Sequence, residues 1–363
     1  MRSWLAGVYG IVLAAALAGC GTTYQGLPIM VRSIIVPCPM TQYDAIAWSP
    51  DGTSIAYSAA INGSYYQLFT VSPDGGWPRQ ITTLGGFIRR VQWSQDSKEM
   101  AYMAGNEPSL VVVSLDGTQT IIASSVTDFA WSPDSRSIAY SAFTPGKSLN
   151  GDVYVTRLDG SASVRLTDDP QADGGVAWSP DGAWIAYHHQ VDSNHQIFIM
   201  RSDGGQKRQL TFAGENLSAR WSPDGSKISY YSTRNGRIEI YLISADGVDE
   251  KRVSSHYRYG EYVWLPDSRH IALSALDNNG DAYLTVVSID TLAEESLTTL
   301  ATTGTDDPAF SFSPDGKRVA FIDFDHSNPN VAAPEIYVIN RDGSGKTRLT
   351  DNPGKRYCLN WPF

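Results

Sequence analysis

Fourteen aspartates recur at fixed offsets along this chain, and His188, His189 and His195 fall within eight residues of one another. Carboxylates gathered in a ring can hold a cation or share a proton, provided their side chains converge. Seven of the aspartates follow an aromatic residue by three positions: Asp51, Asp96, Asp134, Asp181, Asp224, Asp267 and Asp315. Seven more are Asp74, Asp116, Asp159, Asp203, Asp246, Asp290 and Asp342, six of them followed by Gly. The first set lies in Trp-Ser-Pro-Asp-Gly or in the variants "SQDS", "SPDS" and "LPDS". Pro presets φ for a turn, Asp bonds nearby backbone amides, and Gly supplies positive φ. These acids are therefore expected to point into their own turns and not toward a common centre. The histidines match no zinc spacing, and neighbours on a strand face opposite sides, so no metal is expected from them. "DFDHSN" from Asp323 lacks the Gly and closing Glu of a calcium loop. No cofactor is implied.

The elements that carry these residues repeat. Trp48, Trp93, Trp131, Trp178, Trp221 and Trp264, with Phe312 in the seventh place and Trp361 in the eighth, stand 38 to 49 residues apart. That is the period of a four-stranded propeller blade. Seven residues past each of the first seven comes an apolar residue such as Ile55 or Ile228, and another lies two further on, such as Tyr57 or Tyr230. Alternation rich in aromatic and β-branched residues marks a strand. A second apolar run, such as "IEIYLIS" from Ile238, ends at the second aspartate, and a short "RQLT" or "TRLT" closes the unit. The expected fold class is all-β: a seven-bladed β-propeller of four-stranded antiparallel blades over residues 43–363. The motif resembles the TolB-type propeller repeat, a relative in shape of the WD repeat. TolB itself carries an α/β domain ahead of its propeller, whereas only about twenty residues lie between Cys20 and the first blade here. The resemblance therefore implies the propeller, and no Pal-type partner is expected.

In a propeller the irregular d-to-a and b-to-c loops surround the mouth of the central channel. Here the d-to-a loops include "DDPQADGG" and "FAGENLSAR", and "HHQVDSNHQ" is the most polar b-to-c loop. Strand a lines the channel, and its positions three and one before the Trp are mostly small, as at Ala45, Ala130 and Ser218. Against them stand Arg90, Asp128, Arg220 and Glu261. Charges near a crowded axis must pair or meet solvent and ligand. They form either a polar funnel for a peptide end or sugar, or mutual ion pairs around a wet channel. His256, Tyr257 and Arg258 are expected higher at the mouth, where Tyr and Arg favour binding surfaces. With His188 they complete the candidate ligand-binding set.

No Gly-x-Ser-x-Gly elbow, His-Glu-x-x-His or phosphate loop occurs. The expectation is a binding scaffold for a protein, peptide or glycan, more than an enzyme. The alternative is a lyase or hydrolase acting on polysaccharide fragments in the channel, since some propeller lyases of pectin fragments bind a metal through histidines.

The N-terminus addresses the chain. Arg2 precedes an apolar stretch from Trp4 to Ala18, too short to span a bilayer, which ends in Leu17-Ala18-Gly19-Cys20. This resembles a bacterial lipobox, which implies a signal peptide over residues 1–19 and lipid on Cys20. Residues 20–42 are then a lipidated tether with one strand, "VRSIIV". The resemblance implies export and anchoring to the envelope: the outer membrane facing the periplasm in a Gram-negative host, the cell surface in a Gram-positive one. The remaining Cys38 and Cys358 are expected to form a disulfide in that oxidising exterior, latching a ring whose spare strands, near 31–36 and 357–361, flank the blades. A net charge of -10 without a basic run argues against nucleic acid. A monomer is expected.

Overall fold

The computed structural model describes residues 43–61, 65–83, 86–143, 151–254, 259–276, 282–299, 310–324 and 334–350. They form seven four-stranded antiparallel sheets, each with its strands in chain order. The expected seven-bladed propeller is the fold. Every blade is drawn from one continuous stretch: the first runs from Tyr43–Trp48 to Arg79–Gln80, the last from Phe310–Phe312 to Thr347–Arg348. Cys20, Cys38, Cys358 and both spare strands lie outside the described residues.

Each Ser-Pro-Asp-Gly phrase joins strands a and b through one repeated set of bonds. In blade 1 the Ser49 hydroxyl donates to Asp51 Oδ1 (2.6 Å) and accepts from the Ser54 amide (3.0 Å), while Thr53 N–H donates to the same Asp51 oxygen (3.0 Å). The serine–aspartate bond recurs at Asp96, Asp134, Asp181, Asp224 and Asp315. In blade 6, where Leu265 replaces the serine, Asp267 takes the amides of Arg269 and His270 instead. The aspartates are turn chemistry, as their neighbours dictate. The short outer strand is held by a buried hydroxyl. Thr82 Oγ1 accepts from Leu68 N–H (2.9 Å) and donates to Gln67 (2.8 Å), and Thr211 and Thr350 do the same in blades 4 and 7.

Seven apolar clusters, one per seam between blades, form the core. The seam contacts made by the turns and their tryptophans divide into two kinds, according to the fourth residue of the turn. Where that residue is Ser97, Ser135 or Ser268, its hydroxyl accepts the aspartate N–H of the preceding blade, each at 3.0 Å. In those same blades the Trp93, Trp131 and Trp264 indoles donate back to the preceding blade, at Ala47 O (3.0 Å), Gln92 O (3.3 Å) and Arg220 O (3.3 Å). Where the residue is Gly52, Gly182, Gly225 or Gly316, the preceding blade's proline ring borders the glycine. Trp48 then bonds its own turn, at Gly52 O (3.2 Å), and the buried Trp178 and Trp221 indole N–H groups have no partner. Blade 4 is thus flanked on both sides by seams without the indole and serine bonds.

Among the described residues, blades 7 and 1 meet through packing joined by an ion pair and a hydrogen bond. Ile46, Trp48 and Tyr57 share a cluster with Ala320, Ile322 and Val338. Arg318 pairs with Asp74 (2.9 Å) and lies over the Trp48 ring (5.2 Å), and the Trp48 amide donates to Ser311 Oγ (2.9 Å).

Candidate functional site

Strand a carries a bulge just ahead of its Trp in blades 1, 2, 4, 5 and 6, where its pairing with strand b shifts register. A bulge turns a side chain out of the pleat. Arg90, Gly175 and Ser218, three before their tryptophans, adopt φ of 49°, 62° and 57°. The channel encloses about 740 Å³, and Ala45, Arg90, Gln92, Asp128, Ser218 and Arg220 are among the residues that line it.

Within it, Arg90 is ion-paired with Asp128 of the next blade and lies over Phe129 (5.4 Å). Arg220 donates to the Tyr262 carbonyl and stacks over that ring at 4.8 Å. Of the two readings open for these charges, mutual pairing describes Arg90 and Asp128. Glu261 lies on strand a of blade 6 (Tyr259–Trp264), but its side chain is outside the described residues, as are His256, Tyr257 and Arg258 altogether.

His188 is not among the channel-lining residues. It belongs to a second polar group, built on strands b and c of blade 4 (Trp184–Val191 and Asn194–Arg201). Adjacent histidines do face opposite sides. His189 Nδ1 lies 2.8 Å from Asp173 Oδ1 and 3.8 Å from Asp169 Oδ1, with its ring edge-on to Phe198 at 5.0 Å. On the other side, the His188 ring meets that of His195 at 5.0 Å, nearly perpendicular. Glu215, in the loop leading to blade 5, holds His195 twice: at its ring Nδ1 and at its backbone N–H, each 2.7 Å.

Gly174 and Gly175 make room for His188. A Cβ on Gly174 would come within 2.7 Å of its ring, and one on Gly175 within 2.5 Å. The ring's Nδ1 is shielded from solvent and has no partner. Burial, helped by the neighbouring His195, pushes His188 down to about 3, so it stays neutral near pH 7. Asp173 is raised, chiefly because burial disfavours its charged form.

Sequence reasoning had flagged the histidines and the two loops, but not Asp169, Asp173 or Glu215 as partners. The available signal was register: Asp173 pairs directly across from His189. A histidine held through Nδ1 by a carboxylate is fixed in orientation, which suits polar recognition, proton transfer or metal ligation.

Comparison with known proteins places this geometry in context. A family model described as the TolB beta propeller domain matches residues 122–361. An uncharacterized peptidase, YuxL of Bacillus subtilis, is 27% identical over 165 residues, which is 42% of this chain but 23% of that protein. The chain therefore spans less than a quarter of that relative. Among solved structures, TolB from Acinetobacter baumannii aligns with a TM-score of 0.51 at 18% identity, over 86% of this chain and 64% of TolB. An oligogalacturonate lyase from Vibrio parahaemolyticus aligns with a TM-score of 0.67 at 16% identity, over 83% and 91%. At such identities the structural likeness is one of fold.

Proposed function

Because the chain belongs to the TolB beta propeller domain family, we propose that it serves as an exported, lipid-anchored binding scaffold that holds a protein, peptide or glycan at the channel mouth. The anchor is Cys20, and the partner is a component of the cell envelope. One observation carries this reading: the polar groups in and beside the channel are already fixed by neighbours, Arg90 by Asp128 and His195 by Glu215. Groups ordered in advance lose little conformational freedom when a ligand arrives, which favours recognition. The test is binding of the mature protein to peptide and glycan arrays, with Arg90→Ala and Asp128→Ala as probes. Saturable binding weakened by both substitutions supports the scaffold. Turnover of acidic oligosaccharides would replace it with the second reading.

That second reading is a lyase or hydrolase. The buried Asp173 bonded to His189 favours it, since a carboxylate behind an imidazole is the arrangement of a general base. The propeller of the oligogalacturonate lyase shows that such a fold accommodates the chemistry named for that protein. Loss of turnover in His189→Gln would support it.

A further inference from the structure

Three separate elements bring Asp169, Asp173 and His189 together. Asp169 comes from the loop after blade 3, Asp173 opens strand a of blade 4, and His189 lies on strand b. Each presents one ligand atom, and these atoms all lie within 4.8 Å of one another. The Asp173 side chain is wholly shielded from solvent. One of its oxygens meets His189 and the other, Oδ2, has no hydrogen-bond partner. A shielded carboxylate with an unused oxygen is costly, and a missing ion is a recognised reason for one. The open acceptor thus belongs to the carboxylate whose other oxygen faces His189. Asp169 Oδ1 lies 3.8 Å from the same imidazole, and a cation between the two acids would offset their repulsion.

We propose that Asp169, Asp173 and His189 form a divalent-cation site. Two carboxylates and an imidazole suit a first-row transition ion such as Mn²⁺ or Zn²⁺ better than Ca²⁺, which favours oxygen alone. The ion ties the loop leaving blade 3 to the first two strands of blade 4. It does so on the face opposite the turns, beside a blade whose seams lack the indole bonds found elsewhere. The site shares His189 with the lyase reading but does not depend on it, because an ion here stabilises the blade whether or not turnover occurs.

The test uses the full mature protein, stripped with a chelator and titrated separately with MnCl₂, ZnCl₂ and CaCl₂, following heat of binding and melting temperature. One Mn²⁺ or Zn²⁺ per chain is expected, with a rise in melting temperature and weaker Ca²⁺ binding. Asp169→Asn and His189→Gln should each weaken binding at least tenfold while keeping the wild-type circular dichroism spectrum. His195→Gln, on the other side of the sheet, should bind as the wild type does. Absence of binding at millimolar ion, or unchanged affinity in both Asp169→Asn and His189→Gln, overturns the site. Tighter binding of Ca²⁺ than of Mn²⁺ and Zn²⁺ overturns the ion class. Array binding by the scaffold is read independently of all these outcomes.

Discussion

Blades 3 and 4 carry nearly the same turn, "SPDS" against "SPDG", yet they are fastened differently. Blade 3 accepts a bond from blade 2 at Ser135 and returns one through the Trp131 indole. Blade 4 does neither: Gly182 offers no hydroxyl, and the Trp178 N–H is buried without a partner. It meets its neighbours in other ways: on the loop face Glu215 grips His195 and Asp169 approaches His189, and at the turn end Arg208 donates to the Ala245 and Asp246 carbonyls of blade 5. One hydroxymethyl group in a turn thus separates a seam fastened there by hydrogen bonds from one where a proline ring packs in their place.

The largest effect that would sharpen the contrast concerns the bulge. Arg90 and Gly175 occupy equivalent positions, and both have positive φ, but only at Gly175 does an imidazole fill the space of a side chain. Gly175→Ala should cost about 3 kcal/mol by combining overpacking with backbone strain, measured by urea unfolding. A loss below about 1 kcal/mol would mean that the His188 slot is not rigid.

Next comes pH. His188 is depressed to about 3 in the fold, while the unfolded chain takes up its proton near 6.5. Its stabilisation is therefore complete above pH 6.5 and declines as pH falls from there toward 3. Between pH 7 and 5 the wild type should lose about 2 kcal/mol relative to His188→Gln, and parallel pH profiles would refute this. The turn aspartates act in a lower window. Serine hydroxyls and backbone amides hold Asp134, Asp181 and Asp315 below their usual range, so their contribution is present above pH 3.8 and is lost as pH falls further.

Smaller effects isolate the seams. Trp131→Phe should destabilise about 1 kcal/mol more than Trp178→Phe, because only the former breaks a bond. Equal losses in paired urea melts would erase the distinction between blades 3 and 4. Smallest of all, Ser135→Ala should cost about 0.5 kcal/mol, since water can reach the exposed Asp96 amide it leaves. Thermal denaturation against Ser132→Ala, which breaks the bonds within one turn, gives the comparison.

The architecture was legible because its determinants are local. Pro, Asp and Gly specify each turn from within four residues, and Ile55 or Tyr230 declare their strand by alternation, so seven blades could be counted without a structure. The seams were not legible. "SQDS" and "SPDS" were visible as variants, but whether Ser97 or Ser135 reaches a neighbour depends on an amide about forty residues away. The site divided in the same manner. That His188 and His189 face apart follows from strand geometry alone. That Asp169 and Glu215 meet His189 and His195 depends on loop paths set by packing, whereas Asp173 meets His189 through strand register. Arg90 and Asp128 were singled out for their charge, but that they pair with each other across a seam could not be read from composition.

Among the described residues each sheet is woven from one uninterrupted length of chain, and no blade borrows a strand from another. A cut between any two blades would leave every sheet whole. The order of the blades around the ring could then be rotated in the gene, or a blade copied or dropped, without unravelling a hydrogen-bonded ladder. In such a ring heredity can work blade by blade, and one blade can change while its neighbours keep their pattern.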